Sequence, residues 1–252
     1  MPFLIYAGLH FGALTLLVSY PDPQVYPTLA SWIKLMGNAE AELFGHYPGL
    51  YLLLPLAFQW GKLVVGIIFE GLAAGLTVVL FANYFCRKLS KRWSLSDAFK
   101  AWPQLLIGWI IITGILFIVN WYLPGMASEF LHRSPRRAAL FDIGLKLLTV
   151  GLYSIFIYAL PALIVLRQNI LRAFVTSFGY FFKLPVFSFF LALIPYLMTL
   201  PVSYLTGNVE VIVTRFSPEL MYYILISGII IDLLINYWVT GAVTKFLIEE
   251  KE

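Results

Sequence analysis

The sequence predicts an all-α fold. It reads as a polytopic transmembrane helix bundle of about six crossings, built from repeated helical hairpins with amphipathic elbow helices. Residues 1–252 read as a single integral membrane domain. Three observations carry this. The chain is 61% hydrophobic and 12% charged, with mean hydropathy +0.86, whereas soluble domains carry about 25% charged residues. Its apolar runs are continuous and long enough to cross a bilayer, which needs about 20 residues of helix. Barrel strands would instead alternate at every second residue. Finally, PQLLIGWIIITGILFIVNWYLPG (Pro103 to Gly125) and PVFSFFLALIPYLMTLPVSYLTG (Pro185 to Gly207) align without a gap. Each holds no charged side chain and closes on Tyr-Leu-X-Gly, and each follows a basic segment carrying Ala-Phe (Ala98-Phe99, Ala173-Phe174). Internal repetition of hairpins is a common way to build polytopic proteins.

The first crossing is expected over Phe3 to Ser19. No Lys or Arg precedes it and no small-x-small cleavage site follows, so it reads as a retained helix rather than a secretory signal. An outer amphipathic helix should follow, with Leu29, Trp32, Ile33 and Met36 at helical spacing. The second crossing is expected over Lys62 to Cys86. Its apolar lead-in from Leu50 would make one helix too long for a hydrocarbon core of about 30 Å, so a bend or break is expected at Pro55 and Gly61. The third is Pro103 to Leu123, preceded by an elbow with Leu95, Ala98, Phe99 and Trp102 on one stripe. The fourth is Ile143 to Leu166. A second elbow follows, with Ile170, Phe174, Phe178 and Phe181. The fifth crossing is Leu184 to Tyr204 and the sixth Tyr222 to Phe246. Basic, aromatic helices of the elbow kind tend to lie in the membrane interface.

Orientation follows from Lys and Arg in short loops. Arg87, Lys88, Lys91, Arg92, Lys100, Arg167, Arg172, Lys183, Lys245 and Lys251 fall on one side, against Lys34, Arg133, Arg136, Arg137 and Arg215 on the other, with Lys62 and Lys146 near helix ends. The excess puts both termini in the cytoplasm, in a prokaryotic plasma (inner) membrane. The net charge of +4 is spread over these loops and is no nucleic-acid signature; no nucleic-acid partner is expected. The expected partners are the lipid bilayer and either other membrane subunits or a second copy of the chain.

Two acids stand deep in apolar runs, Glu70 in the second crossing and Asp232 in the sixth. A carboxylate at such depth costs about 2.5–3.5 kcal/mol. Each must therefore face a bundle interior or a water-filled cavity. They are candidates for a binding site or an ion pathway, together with Asn120 and Asn236. Their alternative role is an interhelical hydrogen bond that locks the bundle. Gly71 and Gly75 follow Glu70 as Gly-x-x-x-Gly, a spacing that lets a neighbouring helix approach. Asp142 and Lys146 stand four apart and should pair along one helix. Arg133, Arg136 and Arg137 form a loop cluster suited to lipid headgroups. His10 lies in an apolar helix and is expected to be hydrogen-bonded; His46 and His132 fall in loops.

Catalytic signatures are absent: no His-Glu-x-x-His, no Gly-x-Ser-x-Gly, no phosphate-binding glycine loop with its Lys. Cys86 is the only cysteine, which excludes an internal disulfide and a cysteine metal cluster. No cofactor or metal is expected.

LSDAFKAWP (Leu95 to Pro103), YALPALIVLRQNILRAFVTSF (Tyr158 to Phe178) and TGAVTKFL (Thr240 to Leu247) carry a resemblance. The chain resembles a bacterial class of six-helix integral membrane proteins of unknown function, similar to the membrane domain fused to some glycerophosphodiester phosphodiesterases. That resemblance implies fold and membrane location and carries over no functional residue. Arg172-Ala173-Phe174 before Gly179 and Leu184-Pro185 partly resembles the coupling loop of binding-protein-dependent permeases. The acidic residue and second Ala of that loop are missing here, and Gly179 is one place late. The resulting expectation is a multipass membrane protein acting as a non-catalytic subunit or scaffold of a larger assembly. The alternative is a transporter or permease subunit using intramembrane carboxylates. A lesser alternative is a lipid-handling membrane enzyme.

Overall fold

The computed structural model describes residues 1–22, 24–34, 42–86, 93–127 and 134–250. Among these residues the long elements are all helices: α1 (Pro2–Val18), α2 (Tyr26–Lys34), α3 (Gly49–Phe85), α4 (Leu95–Met126), α5 (Pro135–Phe156), α6 (Ala159–Val165), α7 (Ile170–Lys183), α8 (Pro185–Gly207), α9 (Val209–Arg215) and α10 (Leu220–Glu249). Five spans are long and apolar enough to cross a membrane: Gly49–Phe85, Leu95–Met126, Arg136–Val165, Pro185–Gly207 and Leu220–Glu249. The expected first crossing, α1, has 17 residues, or about 26 Å of helix, short of a core of about 30 Å. Large apolar side chains such as Phe117, Trp121 and Phe190 stand exposed along these helices. Contiguous surface of that kind is stable against lipid and not against water. The helix composition thus fits a multipass membrane protein.

The chain divides into two compact units, Met1–Phe69 with Leu197–Tyr237, and Glu70–Tyr196 with Trp238–Glu252. In the first, α1 buries Phe3, Tyr6, His10, Leu14 and Leu17, a three-to-four residue spacing that places them on one face. Leu14 and Leu17 join Ile33 of α2, Leu54 and Phe58 of α3, and Met221 and Leu225 of α10 in a common core. The expected outer helix is α2; Leu29 packs against this core, and Met36 lies outside the described residues.

Of the bend or break expected at Pro55 and Gly61, the break does not occur: α3 runs unbroken for 37 residues with Pro55 inside it. Pro55 stands in the second turn, where its missing N–H forfeits one bond, to the Tyr51 carbonyl. Its neighbours Leu54, Ala57 and Phe58 are buried in the core, and that packing holds the helix through the proline. Lys62 consequently lies well inside a helix rather than near its end.

The second unit centres on α6, whose Ala159, Pro161, Ala162, Leu163, Ile164 and Val165 are all buried. It packs against α4 and α7. The helix breaks at Ile157 and Tyr158, between α5 and α6, because Pro161 has no N–H to offer the Ile157 carbonyl. Ser177 of α7 donates to the Ile155 carbonyl at 2.6 Å, next to this break. The chain then turns through Arg167, whose φ of 52° is in the left-handed region. Its guanidinium pairs with Asp97 at 3.2 Å. Asp97 also completes the capping box of Ser94 that starts α4. Asn83 holds the approach to α4 by donating to the Trp93 carbonyl at 2.7 Å and accepting from its N–H at 2.9 Å.

The two matched segments behave differently at their first residue. Pro103 lies inside α4, because the capping box at Ser94 has already started that helix. Elbow and crossing are therefore one helix there. Pro185 begins α8 after a non-helical Leu184 that ends α7, as the steric restriction before proline favours. Tyr158 and Ser188 share a buried hydrogen bond of 2.8 Å, and the Ser188 hydroxyl also donates to the Leu184 carbonyl at 2.9 Å. This arrangement makes an asymmetric prediction. Ser188→Ala orphans a buried phenol and should destabilise the protein by about 1–3 kcal/mol. Tyr158→Phe leaves Ser188 its carbonyl partner and should cost less. Unfolding in mixed micelles reads the difference, and equal losses would contradict it.

Candidate functional site

Lys62 of α3 and Asp232 of α10 form an ion pair within the first unit, the Lys62 ammonium donating to Asp232 Oδ2. Their side chains keep 43% and 32% of their surface open, because they border a cavity of about 180 Å³. α3 contributes Phe58, Gln59 and Lys62; α10 contributes Leu225, Gly228, Ile229, Ile231 and Asp232. The third wall is α8, with Thr199, Val202, Ser203 and Thr206. The three hydroxyl residues stand four and three apart, which lines them up on one helix face. Thr206 donates back to its own helix, to the Val202 carbonyl at 3.0 Å. A Cβ on Gly228 would lie 3.1 Å from Val202 Cγ1. The bare backbone at Gly228 therefore lets α10 approach α8 beside the cavity.

His10 of α1 lies close to this group. It is 3% exposed, its ring packs edge-on against Tyr6 at 4.4 Å and Phe58 at 6.3 Å, and it lies within electrostatic reach of Lys62 and Asp232. Neither ring nitrogen has a hydrogen-bond partner. The hydrogen-bonded histidine expected from the sequence is thus corrected. Aromatic neighbours fill the space around the ring, and a ring seated among them meets no acceptor.

The other expected residues fall as follows. Asp232 and Asn236 belong to the first unit, one turn apart on α10, whereas Glu70 and Asn120 belong to the second. Glu70 is half-buried on α3, within electrostatic reach of Tyr153 of α5. Asn120 donates to Thr149 of α5 at 3.1 Å and to its own helix at Leu116. Leu105 of α4 crosses closely over Gly71 and Gly75: a Cβ on Gly71 would lie 3.0 Å from the Leu105 carbonyl oxygen, and one on Gly75 2.5 Å from Leu105 Cδ1. Asp142 and Lys146 pair at 2.5 Å, four residues apart on α5. Arg136 and Arg137 stand exposed at the start of α5, and Arg133 lies outside the described residues. Among the described residues no group of three or more His, Cys, Asp or Glu is arranged to hold a metal ion.

Sequence reasoning missed Lys62, Gln59 and the hydroxyl row of α8. Lys62 was assigned to a helix end because a break was expected before it. The spacing of Thr199, Ser203 and Thr206 was a readable signal, since hydroxyls at i, i+4 and i+7 mark one face of a crossing. Comparisons with protein-family models, with curated proteins and with solved structures return no match.

Proposed function

We propose that this chain is a transporter or permease subunit of a prokaryotic plasma membrane, with the Lys62–Asp232 cavity as its solute-binding site. One observation supports this above all: an ion pair between two apolar helices keeps part of both charged groups open to a cavity whose otherwise apolar wall carries an amide and three hydroxyls. Ionisable residues inside membrane helices characteristically mark substrate and ion pathways. A pair serving only as a lock would be better sealed, since water weakens the attraction between its charges.

The reading requires the cavity to be reachable from water. Ser203→Cys, made in a Cys86→Ala background, should react with a charged, membrane-impermeant maleimide in intact vesicles. The rate should differ between right-side-out and inside-out preparations. A thiol that stays unlabelled in both, while labelling after detergent denaturation, contradicts a solute pathway and returns the chain to a structural role.

A further inference from the structure

We infer that the cavity accepts a small zwitterion, carrying one ammonium group and one phosphate or carboxylate group a few bonds apart. This rests on the reading of the cavity as a solute site. The cavity holds one cation and one anion, Lys62 and Asp232. Its other polar lining is neutral: the Gln59 amide and the hydroxyls of Thr199, Ser203 and Thr206. The rest is apolar, including Phe58, Leu225 and Ile229.

Charge matching then selects the ligand. A simple anion would take Lys62 and leave Asp232 uncompensated between apolar walls, and a simple cation would do the reverse. Leaving one partner of a half-buried pair alone between apolar walls is the more costly outcome. A neutral solute has no group able to displace either member of the pair. A zwitterion exchanges one ion pair for two, its anionic oxygens on Lys62 and its ammonium on Asp232. Both protein charges then stay compensated before and after binding. The geometry permits this because each member of the pair has an open face toward the cavity. The hydroxyl row on α8 offers donors and acceptors beside the two charged contacts.

Two sources share this chemistry: the headgroup of an ethanolamine phospholipid and a free solute such as the methyl ester of phosphoethanolamine, a phosphodiester with a single negative charge. In the first arm of the test, the purified chain in phosphatidylglycerol nanodiscs is titrated with the methyl ester of phosphoethanolamine by calorimetry. Saturable binding is expected. Lys62→Met with Asp232→Leu removes both charges together and should weaken it about tenfold or more. Ethanolamine alone and inorganic phosphate alone should bind more weakly by a similar factor. In the second arm, native mass spectrometry follows release from nanodiscs of equal phosphatidylethanolamine and phosphatidylglycerol. Selective retention of phosphatidylethanolamine, lost in the double variant, identifies the lipid as the source; a positive first arm alone identifies a free solute.

Ser203→Leu narrows the cavity without touching the pair and should also abolish binding, so the test survives if the double variant does not fold. The inference is overturned if phosphate or ethanolamine alone binds as well as the zwitterion. It is equally overturned if neither arm separates the wild-type chain from both variants. Maleimide labelling of Ser203→Cys without zwitterion binding overturns the ligand class alone; absent labelling overturns the solute reading itself.

Discussion

Asp232→Ala should destabilise the protein by about 1–2 kcal/mol, because it leaves the Lys62 ammonium unpaired between apolar helices while part of that side chain stays open to the cavity. Water entering the cavity relieves part of that charge, so the loss should fall short of the cost in a sealed core. Lys62→Met with Asp232→Leu should recover most of the stability, since apolar groups replace a half-buried ion pair between apolar helices at little or no cost. The comparison separates two roles that either single change confounds. If the pair is only a lock, the double variant should regain function along with stability. If the pair grips a solute, stability returns and binding does not. Unfolding of the single and double variants in mixed micelles gives the coupling between the two residues. An Asp232→Ala variant as stable as the parent would show that Lys62 is already solvated and that the pair contributes nothing.

Gly71→Leu should be the most damaging change in the second unit. A Cβ there would lie 3.0 Å from the Leu105 carbonyl oxygen and 3.1 Å from its carbonyl carbon. Both are backbone atoms, so α4 itself must move. Overpacking of this kind costs about 1–3 kcal/mol, and more where no rotamer offers relief. In lipid, close packing is a principal force joining helices, so the displaced contact is not replaced by a hydrophobic gain elsewhere. Gly75→Ala makes a useful contrast. Its nearest obstacle, at 2.5 Å, is Leu105 Cδ1, the far end of a flexible side chain. Leu105→Ala should therefore rescue Gly75→Ala but leave Gly71→Leu unrescued. Rescue of both would mean that α4 is not held at this crossing by its backbone.

Legibility from the sequence varied with the range of the interaction involved. The apolar spans were readable because lipid demands continuous runs, and a run needs no knowledge of its neighbours. Pro185–Gly207 is a helix with the bounds that the repeat marks out. The Asp142–Lys146 pair was readable because four residues along a helix is a local spacing. No helix breaks at Pro55 or Gly61 and none starts at Pro103. Whether a proline ends a helix depends on what packs around it and on where a cap has already started the helix, as Ser94 and Asp97 do for α4. The polar residues divided in the same way. Asp232 drew notice as an isolated acid in a greasy run, while its partner Lys62 did not, because their pairing spans 170 positions.

Composition and periodicity by themselves determined that the described chain is helical, that its long helices are apolar enough to cross a membrane, and roughly where those helices lie. Those properties follow from the cost of exposing a backbone amide or a charge to hydrocarbon, which each segment meets alone. Only the tertiary structure decided which charge faces which, where α3 stays whole, and that three helices leave a polar cavity around Lys62 and Asp232. Pairing and enclosure are relations between segments distant in the chain, and no local pattern encodes the distance between them.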